Sequence, residues 1–182
     1  WDYVLHLPLR YEDETSLTPI ARLEAGRTQQ CEGEVIRCER IRRPSGEQLQ
    51  AVVSDPTGSL YVRLLHFYPS QVKQLSVGQK VRLYGAVREG YFGLEMMHPK
   101  IRTALTGAAL PTSLTPVYPA GEGITQTWLR KRIARALLDV EIKDLIPKPV
   151  LSELKLPTLS DALHFIHHPP VGANLEALQA KT

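Results

Sequence analysis

The 182-residue chain carries 22 Lys/Arg against 19 Asp/Glu, with 43% apolar and 23% charged residues, the balance of an ordinary globular protein holding one medium domain or one small domain with flanking pieces. No apolar run approaches the roughly 20 residues a membrane-crossing helix needs; the opening Trp1-Asp2-Tyr3 has neither methionine nor a basic-then-apolar leader, so the sequence reads as an excised piece without a secretory signal. The charge is uneven: Arg27 to Arg102 hold 12 Lys/Arg against 7 Asp/Glu, and the remainder 10 against 12. A positive field confined to one segment suits contact with a polyanion, although a solvated basic surface is the commoner origin of such a surplus.

In chain order, Trp1 to Leu9 resembles the tail of an earlier element, with Pro8 ending any helix at about His6. From Arg27 the pattern turns to short β-rich runs: Cys31 to Ile41, Gln48 to Ser54, Leu60 to Phe67, Lys80 to Val87 and Tyr91 to Ile101. Pro44-Ser45-Gly46-Glu47, Asp55-Pro56-Thr57-Gly58 and Glu89-Gly90 supply the turns between them. Pro69 to Leu75 fits a short helix between the third and fourth strands. Five short strands with a helix in that place predict an OB-fold, a mainly β Greek-key barrel that often binds oligonucleotides on one face and its loops. Saccharide-binding, protein-binding and purely structural barrels share the layout, so the fold leaves function open.

Beyond the barrel, Leu110 to Gly123 contains Pro111, Pro116, Pro119, Gly121 and Gly123, a composition that predicts an ordered connector without regular helix or strand. Helical linker segments follow at Thr125 to Val140 and at Leu159 to His167, the second capped by Thr158 or Ser160 and ended by Pro169-Pro170. The expected division is 1–26 as the end of a helical region, 27–104 as the barrel, and 105–182 as linker. Cys31 and Cys38 lie in one strand-like stretch, where they cannot easily face each other, and are expected to be reduced thiols of a cytoplasmic protein.

Seven phrases then carry a family resemblance: LHLPLRYED (Leu5 to Asp13), CEGEV (Cys31 to Val35), SDPTGSLYVRLLHF (Ser54 to Phe67), GLEMMHP (Gly93 to Pro99), LTPVYPAGEGI (Leu114 to Ile124), LRK (Leu129 to Lys131) and HFIHHPP (His164 to Pro170). Together, in this order, the chain resembles the bacterial RecG helicases, which remodel stalled replication forks. The resemblance implies the wedge region ahead of an ATP-driven motor: a module that binds forks and Holliday junctions and splits strands during fork reversal and recombinational repair. It implies a bacterial cytoplasmic, nucleoid-associated protein. The implied partners are branched DNA, the motor domains of the same chain and single-strand DNA-binding protein, with no membrane. ATP and Mg²⁺ belong to the whole helicase. The phosphate-cradling G-x-x-x-x-G-K-[ST] string does not occur in the 182 residues, so this piece is expected to need no cofactor and to hydrolyse no ATP.

A wedge must hold backbone phosphate and offer flat surfaces to unstacked bases, tasks suited to arginine and aromatic side chains. Leu65, His66, Phe67 and Tyr68 are the candidate stacking group. The family's aromatic pair falls at Leu64 and Leu65 here, so Leu65 as an apolar plug and Phe67 with Tyr68 as stacking rings stand as alternatives, and Phe67 closing the core is a third. Arg37, Arg40, Arg42, Arg43 and Arg63 are the candidate phosphate contacts; strand alternation places Arg40 and Arg42 on one face and Arg37 and Arg43 on the other. Arg88, Tyr91 and Phe92 form a second group, with either aromatic equally suited to a small core. Arg130, Lys131, Arg132 and Arg135 suit docking on the motor or plain solvation better than duplex contact. His164, His167 and His168 lack the partners of a zinc site, so a cap or packing role is expected. Ser59, Ser70 and Cys38 have no base nominated by spacing, so no catalytic residue is assigned. A structural or protein-docking barrel and a general single-strand-binding OB protein are the rival readings.

Overall fold

The computed structural model describes residues 1–44, 46–104, 109–170, 172 and 173. In chain order the strands are β1 (Arg10–Glu12), β2 (Thr28–Arg43), β3 (Gly46–Asp55), β4 (Gly58–Leu64), β5 (Lys80–Gly90), β6 (Gly93–Met97), β7 (Lys100–Thr103) and β8 (Thr115–Val117). The helices are α1 (Pro69–Gln74), α2 (Gln126–Asp139), α3 (Lys148–Glu153) and α4 (Leu159–His167), with a 3-10 turn at Ile20–Arg22. Residues 16–110 form one compact unit, and residues 1–15 with 111–182 another. Among the described residues no helix is long and apolar enough to cross a membrane.

The first unit is a closed sheet of order β2-β3-β4-β6-β5-β7, completed by pairing of β2 with β5. Alternation builds it: Leu49, Ala51 and Val53 of β3, Leu60, Val62 and Leu64 of β4, and Val81, Leu83 and Val87 of β5 are buried and form one core. β2 serves two partners. Its first half, Thr28 to Glu34, pairs with β5, and its second half, Glu34 to Arg43, pairs with β3. Gly33 stands at the changeover, where a Cβ would lie 2.7 Å from the Ser54 carbonyl oxygen; only glycine lets the strands approach this closely. A bulge at Ile36 follows, between Val35 and Arg37, where the strand bends and its twist increases.

The fold is the expected mainly β OB barrel with helices; the first and second expected strands run longer at both ends, the fourth runs on through Glu89-Gly90 so that the turn falls at Tyr91-Phe92, and the third and fifth change more. The third stops at Leu64, leaving Phe67 outside it. The fifth, expected over Tyr91 to Ile101, begins at Gly93 and breaks into β6 and β7. His98 adopts a left-handed backbone (φ 50) and Pro99 has no N–H to continue a ladder, so β6 pairs with Val87 to Gly90 and β7 with Val81 to Tyr84 of the same strand. The turn between β3 and β4 is organised by Asp55. Its Oδ1 accepts from Thr57 N–H (2.7 Å), Thr57 Oγ1 (2.6 Å) and Gly58 N–H (2.9 Å), and its Oδ2 accepts from Ile20 N–H (2.9 Å). Burial works against the charge, but these four bonds outweigh it and hold the carboxyl below its usual range.

In the second unit β1 pairs antiparallel with β8, Arg10 opposite Val117 and Glu12 opposite Thr115. Both strands fall where none was expected, β8 within the proline-rich Leu110 to Gly123; Pro116 is tolerated because a two-stranded ribbon leaves each strand an open edge. Leu129, Ile133 and Leu137 of α2 and Leu163 of α4 pack with Val4 and Tyr118. Fully buried His167 joins the elements: its Nε2 meets the Val4 carbonyl at 2.8 Å and its Nδ1 the Tyr118 hydroxyl at 2.9 Å. A carbonyl can only accept, so the ring is the Nε2–H tautomer, with Nδ1 accepting from the hydroxyl. His167 therefore has the expected packing role.

Two stability tests follow from these contacts. Replacing Asp55 by Ala leaves its donors without their acceptor, and urea unfolding should show a loss of about 1–3 kcal/mol; an unchanged midpoint would contradict the turn's role. Burial lowers the proton affinity of His167 and of His168 below the usual histidine value. The folded form thus binds fewer protons than the unfolded chain, and its stability is full above about pH 6.5 and declines below it. Thermal melting between pH 7.5 and 5.5 should show this decline, with a flatter profile in His167→Gln.

Candidate nucleic-acid interface

The bulge at Ile36 sets the geometry of the interface. In an unbroken strand Arg37 would follow Val35 onto the core side; the extra residue reverses the alternation. Cys38, Arg40 and Arg42 therefore continue the core-facing row, with Cys38 opposite Ala51 and Arg40 opposite Leu49. Arg37, Glu39 and Ile41 face outward and line a groove. The expected separation of Arg37 from Arg40 and Arg42 is what the chain adopts. Arg43 closes β2 opposite Gly46, and its side chain lies outside the described part of the structure.

On the core-facing side, the Arg40 guanidinium lies over the Phe67 ring, 5.7 Å from its centre. Phe67 is half-buried and packs against the barrel core, so the core-closing alternative holds for one side of its ring. Leu64 is fully buried, Leu65 half-buried and His66 exposed, and Tyr68 is 75% exposed. The segment Leu65–Tyr68 is pinned at both ends. Leu65 N–H donates to His98 Nε2 (3.1 Å), and Tyr68 N–H donates to Gln71 Oε1 (2.9 Å) at the start of α1. His98 in turn donates its own N–H to the Arg63 carbonyl (3.0 Å), and its ring lies near that of His66, centroids 6.4 Å apart. The left-handed backbone at His98, which histidine adopts more readily than most residues, aims the acceptor at the loop. Arg42 is exposed on the same face.

The outward side is different in character. Tyr91 and Phe92, at the β5–β6 turn, are 91% and 70% exposed, so neither is core. Phe92 stands 5.8 Å from Tyr61 of β4 and 4.9 Å, edge-on, from Tyr91. With Arg37, Glu39, Ile41 and Gln50, the rings of Tyr61 and Phe92 line a groove of about 330 Å³. Its arginine is matched by a carboxylate, Arg37 being bidentate to Glu39 (2.8 and 2.9 Å); in a small adjoining pocket that shares Gln50, Tyr61 and Phe92, Arg63 meets Glu95 at 3.0 Å. Arg88, opposite Glu95 in the β5–β6 ladder, is exposed.

The structure thus brings Leu65, His66, Phe67 and Tyr68 together with Arg40, and gathers Phe92, Arg37 and Arg63 on the opposite face. Tyr61, Gln50, Glu95 and His98 were not singled out by the sequence reading. Tyr61 had a signal: Leu60, Val62 and Leu64 face the core, so Tyr61 must face outward beside Arg63. His98 had none, because its role depends on a bond across 33 positions. On α2, Arg130 donates to the Gln126 carbonyl, Arg132 covers Trp128 at 5.4 Å and Arg135 pairs with Asp139, local contacts that suit a solvated helix. The Cys31 thiol is pushed up to about 12 by burial, with the Asp55 charge adding to the effect, which leaves it an inert core residue. Among the described residues no group of three or more His, Cys, Asp or Glu is placed to hold a metal.

Comparison with known proteins places this geometry. The family described as the RecG wedge domain matches residues 1–140. The ATP-dependent DNA helicase RecG of Escherichia coli K12 is 40% identical over 98% of this chain and 26% of that protein, and RecG of Acidithiobacillus ferridurans is 36% identical over 91% and 24%. The chain therefore spans about a quarter of the length of the curated relatives it matches. In fold it resembles a solved structure of RecG bound to a three-way DNA junction, with a TM-score of 0.72 at 22% identity over 99% of this chain and 25% of that one. The chain belongs to the RecG wedge domain family.

Proposed function

We propose that this chain is the branched-DNA-binding wedge of a RecG-type helicase. It holds replication forks and Holliday junctions at their branch point while a motor elsewhere in the same protein, driven by ATP and Mg²⁺, pulls the arms apart during fork reversal and recombinational repair. The observation that carries the reading is the cation laid on a ring: Arg40 over Phe67, with exposed Tyr68 next in the chain. Arginine supplies sequence-blind backbone affinity and the rings cap bases that have lost a stacking partner. The two hydrogen bonds that pin Leu65–Tyr68 reduce the ordering cost of binding. Arg42 extends the backbone contact, and Arg43, the last residue of β2, is proposed as a further phosphate contact.

Arg88, Tyr91 and Phe92 form a second contact surface, with Arg37 and Arg63 behind it. In the other unit, exposed Leu145, Leu154 and Leu156 suit docking of the motor domains, since apolar surface of this kind is commonly covered by a partner. Single-strand DNA-binding protein is a further partner of the whole helicase, which would act in the bacterial cytoplasm at the nucleoid.

Binding of the 182-residue chain to a three-way junction, a matched duplex and a single strand at two salt concentrations tests the reading. Junction binding should lead and weaken with salt, and Phe67→Ala/Tyr68→Ala should reduce it by about 5- to 150-fold, the loss of one stacked base. Equal, weak binding to all three DNAs would make the barrel a scaffold. Removing the loop's acceptor in His98→Ala should cost junction affinity about 5-fold, the size of one hydrogen bond, and speed amide exchange at Leu65. Unchanged exchange would contradict the pinning.

A further inference from the structure

We infer that the outward groove is a slot for one unpaired nucleobase of single-stranded DNA, distinct from the Leu65–Tyr68 loop. The inference rests on the nucleic-acid reading and assigns a ligand class to a surface whose charge alone would suggest something else. Arg37 and Arg63 look like phosphate contacts in sequence. In the structure each is tied to a carboxylate, Arg37 to Glu39 in a two-bond fork and Arg63 to Glu95. A phosphate entering here would meet the Glu39 carboxylate along with the Arg37 guanidinium, and beside them, in the small pocket that shares Gln50, Tyr61 and Phe92, the paired Arg63 and Glu95, so backbone gains little. A neutral, flat ring has no such opposition.

The shape agrees with that occupant. Tyr61 and Phe92, tilted 31° to one another at 5.8 Å, offer two aromatic surfaces, and Tyr91 supports Phe92 edge-on at 84°. Phe92 is 70% exposed with no other ring against it among the described residues. The Gln50 side chain in the groove lining has both donors and an acceptor for a base edge. The volume of about 330 Å³ falls at the small end of the roughly 300–1,000 Å³ typical of small-ligand clefts, room for a single nucleotide and too little for duplex. Exposed Arg88, on the strand leading to the Tyr91–Phe92 turn, is the cation left to meet the adjoining phosphate.

Gly90 maintains the charge balance. A Cβ there would lie 2.8 Å from Glu95 Oε2, so the absence of a side chain lets the Glu95 carboxylate lie over the strand within reach of Arg63. The groove therefore separates two kinds of DNA contact that one surface usually mixes: the core-facing arginines carry the salt-dependent part, and the outward groove carries a stacking part almost insensitive to salt.

The test titrates the 182-residue chain into a single strand of about 12 nucleotides, within the span an OB barrel covers, with 2-aminopurine at its centre, and in parallel into a three-way junction. Wild type should change the 2-aminopurine fluorescence by stacking. Phe92→Ala should lose that signal and bind the strand about 5- to 150-fold more weakly, with the slope of log affinity against log salt unchanged; Phe92→Trp should restore both. Arg42→Ala should lower the slope by about 1 and keep the signal. Glu95→Gln, which frees Arg63, should steepen the slope. If Phe92→Ala binds and fluoresces like wild type, or loses affinity with a flattened slope, the slot is overturned while junction binding keeps the wider reading. If wild type binds neither DNA, both fall.

Discussion

The double pairing of β2 is the constraint on which the rest of the barrel depends. One strand closes the sheet by giving its first half to β5 and its second half to β3, and it can do so only where Gly33 permits a close backbone approach and Ile36 bulges out. The bulge also reverses which side chains point inward. Alternation separates Arg37 from Arg40 and Arg42, and the bulge sets which of them faces outward: Arg37 joins the outer face while Arg40 and Arg42 continue the core-facing row.

Charge compensation sharpens the difference. Exposed ion pairs such as Arg37–Glu39 contribute little to stability, so their larger effect is on the local field: they cancel it on the outward face. Arg40 has a ring beneath it in place of a carboxylate and keeps its charge available to the solvent side. The loop beside it is held by His98 and Gln71, so on the proposed reading its rings need little ordering to meet DNA. A surface with free cations and fixed rings, back to back with a neutral aromatic groove, is suited to a substrate that has both duplex backbone and unpaired bases.

Much of this architecture was legible in the sequence because it follows from local pattern. Alternating apolar residues in Leu49 to Val53 and Leu60 to Leu64 mark two core strands, Pro69 marks the start of α1, and Thr158 marks the start of α4, where its hydroxyl accepts from Asp161 N–H. The parity of Arg37 against Arg40 was also readable. What could not be read was set by distant partners. β8 exists because Arg10 to Glu12 lie alongside it, which overrides Pro116. Phe67 turned half inward because the third strand ends at Leu64 and the chain bends toward α1. The pairing of Arg63 with Glu95, and the acceptor that His98 gives to Leu65, join residues 32 or 33 positions apart and leave no periodic trace.

The most direct test of the central claim, that the bulged β2 divides two kinds of DNA contact between opposite faces, is amide chemical-shift mapping of the chain against a three-way junction. The account predicts perturbed amides at Arg40, Arg42 and Leu65 to Tyr68 with the junction, and additional perturbation at Tyr61, Gly90 and Phe92 when the junction carries a single-stranded arm. Perturbation confined to residues 111–170, or one identical pattern for both DNAs, would contradict it.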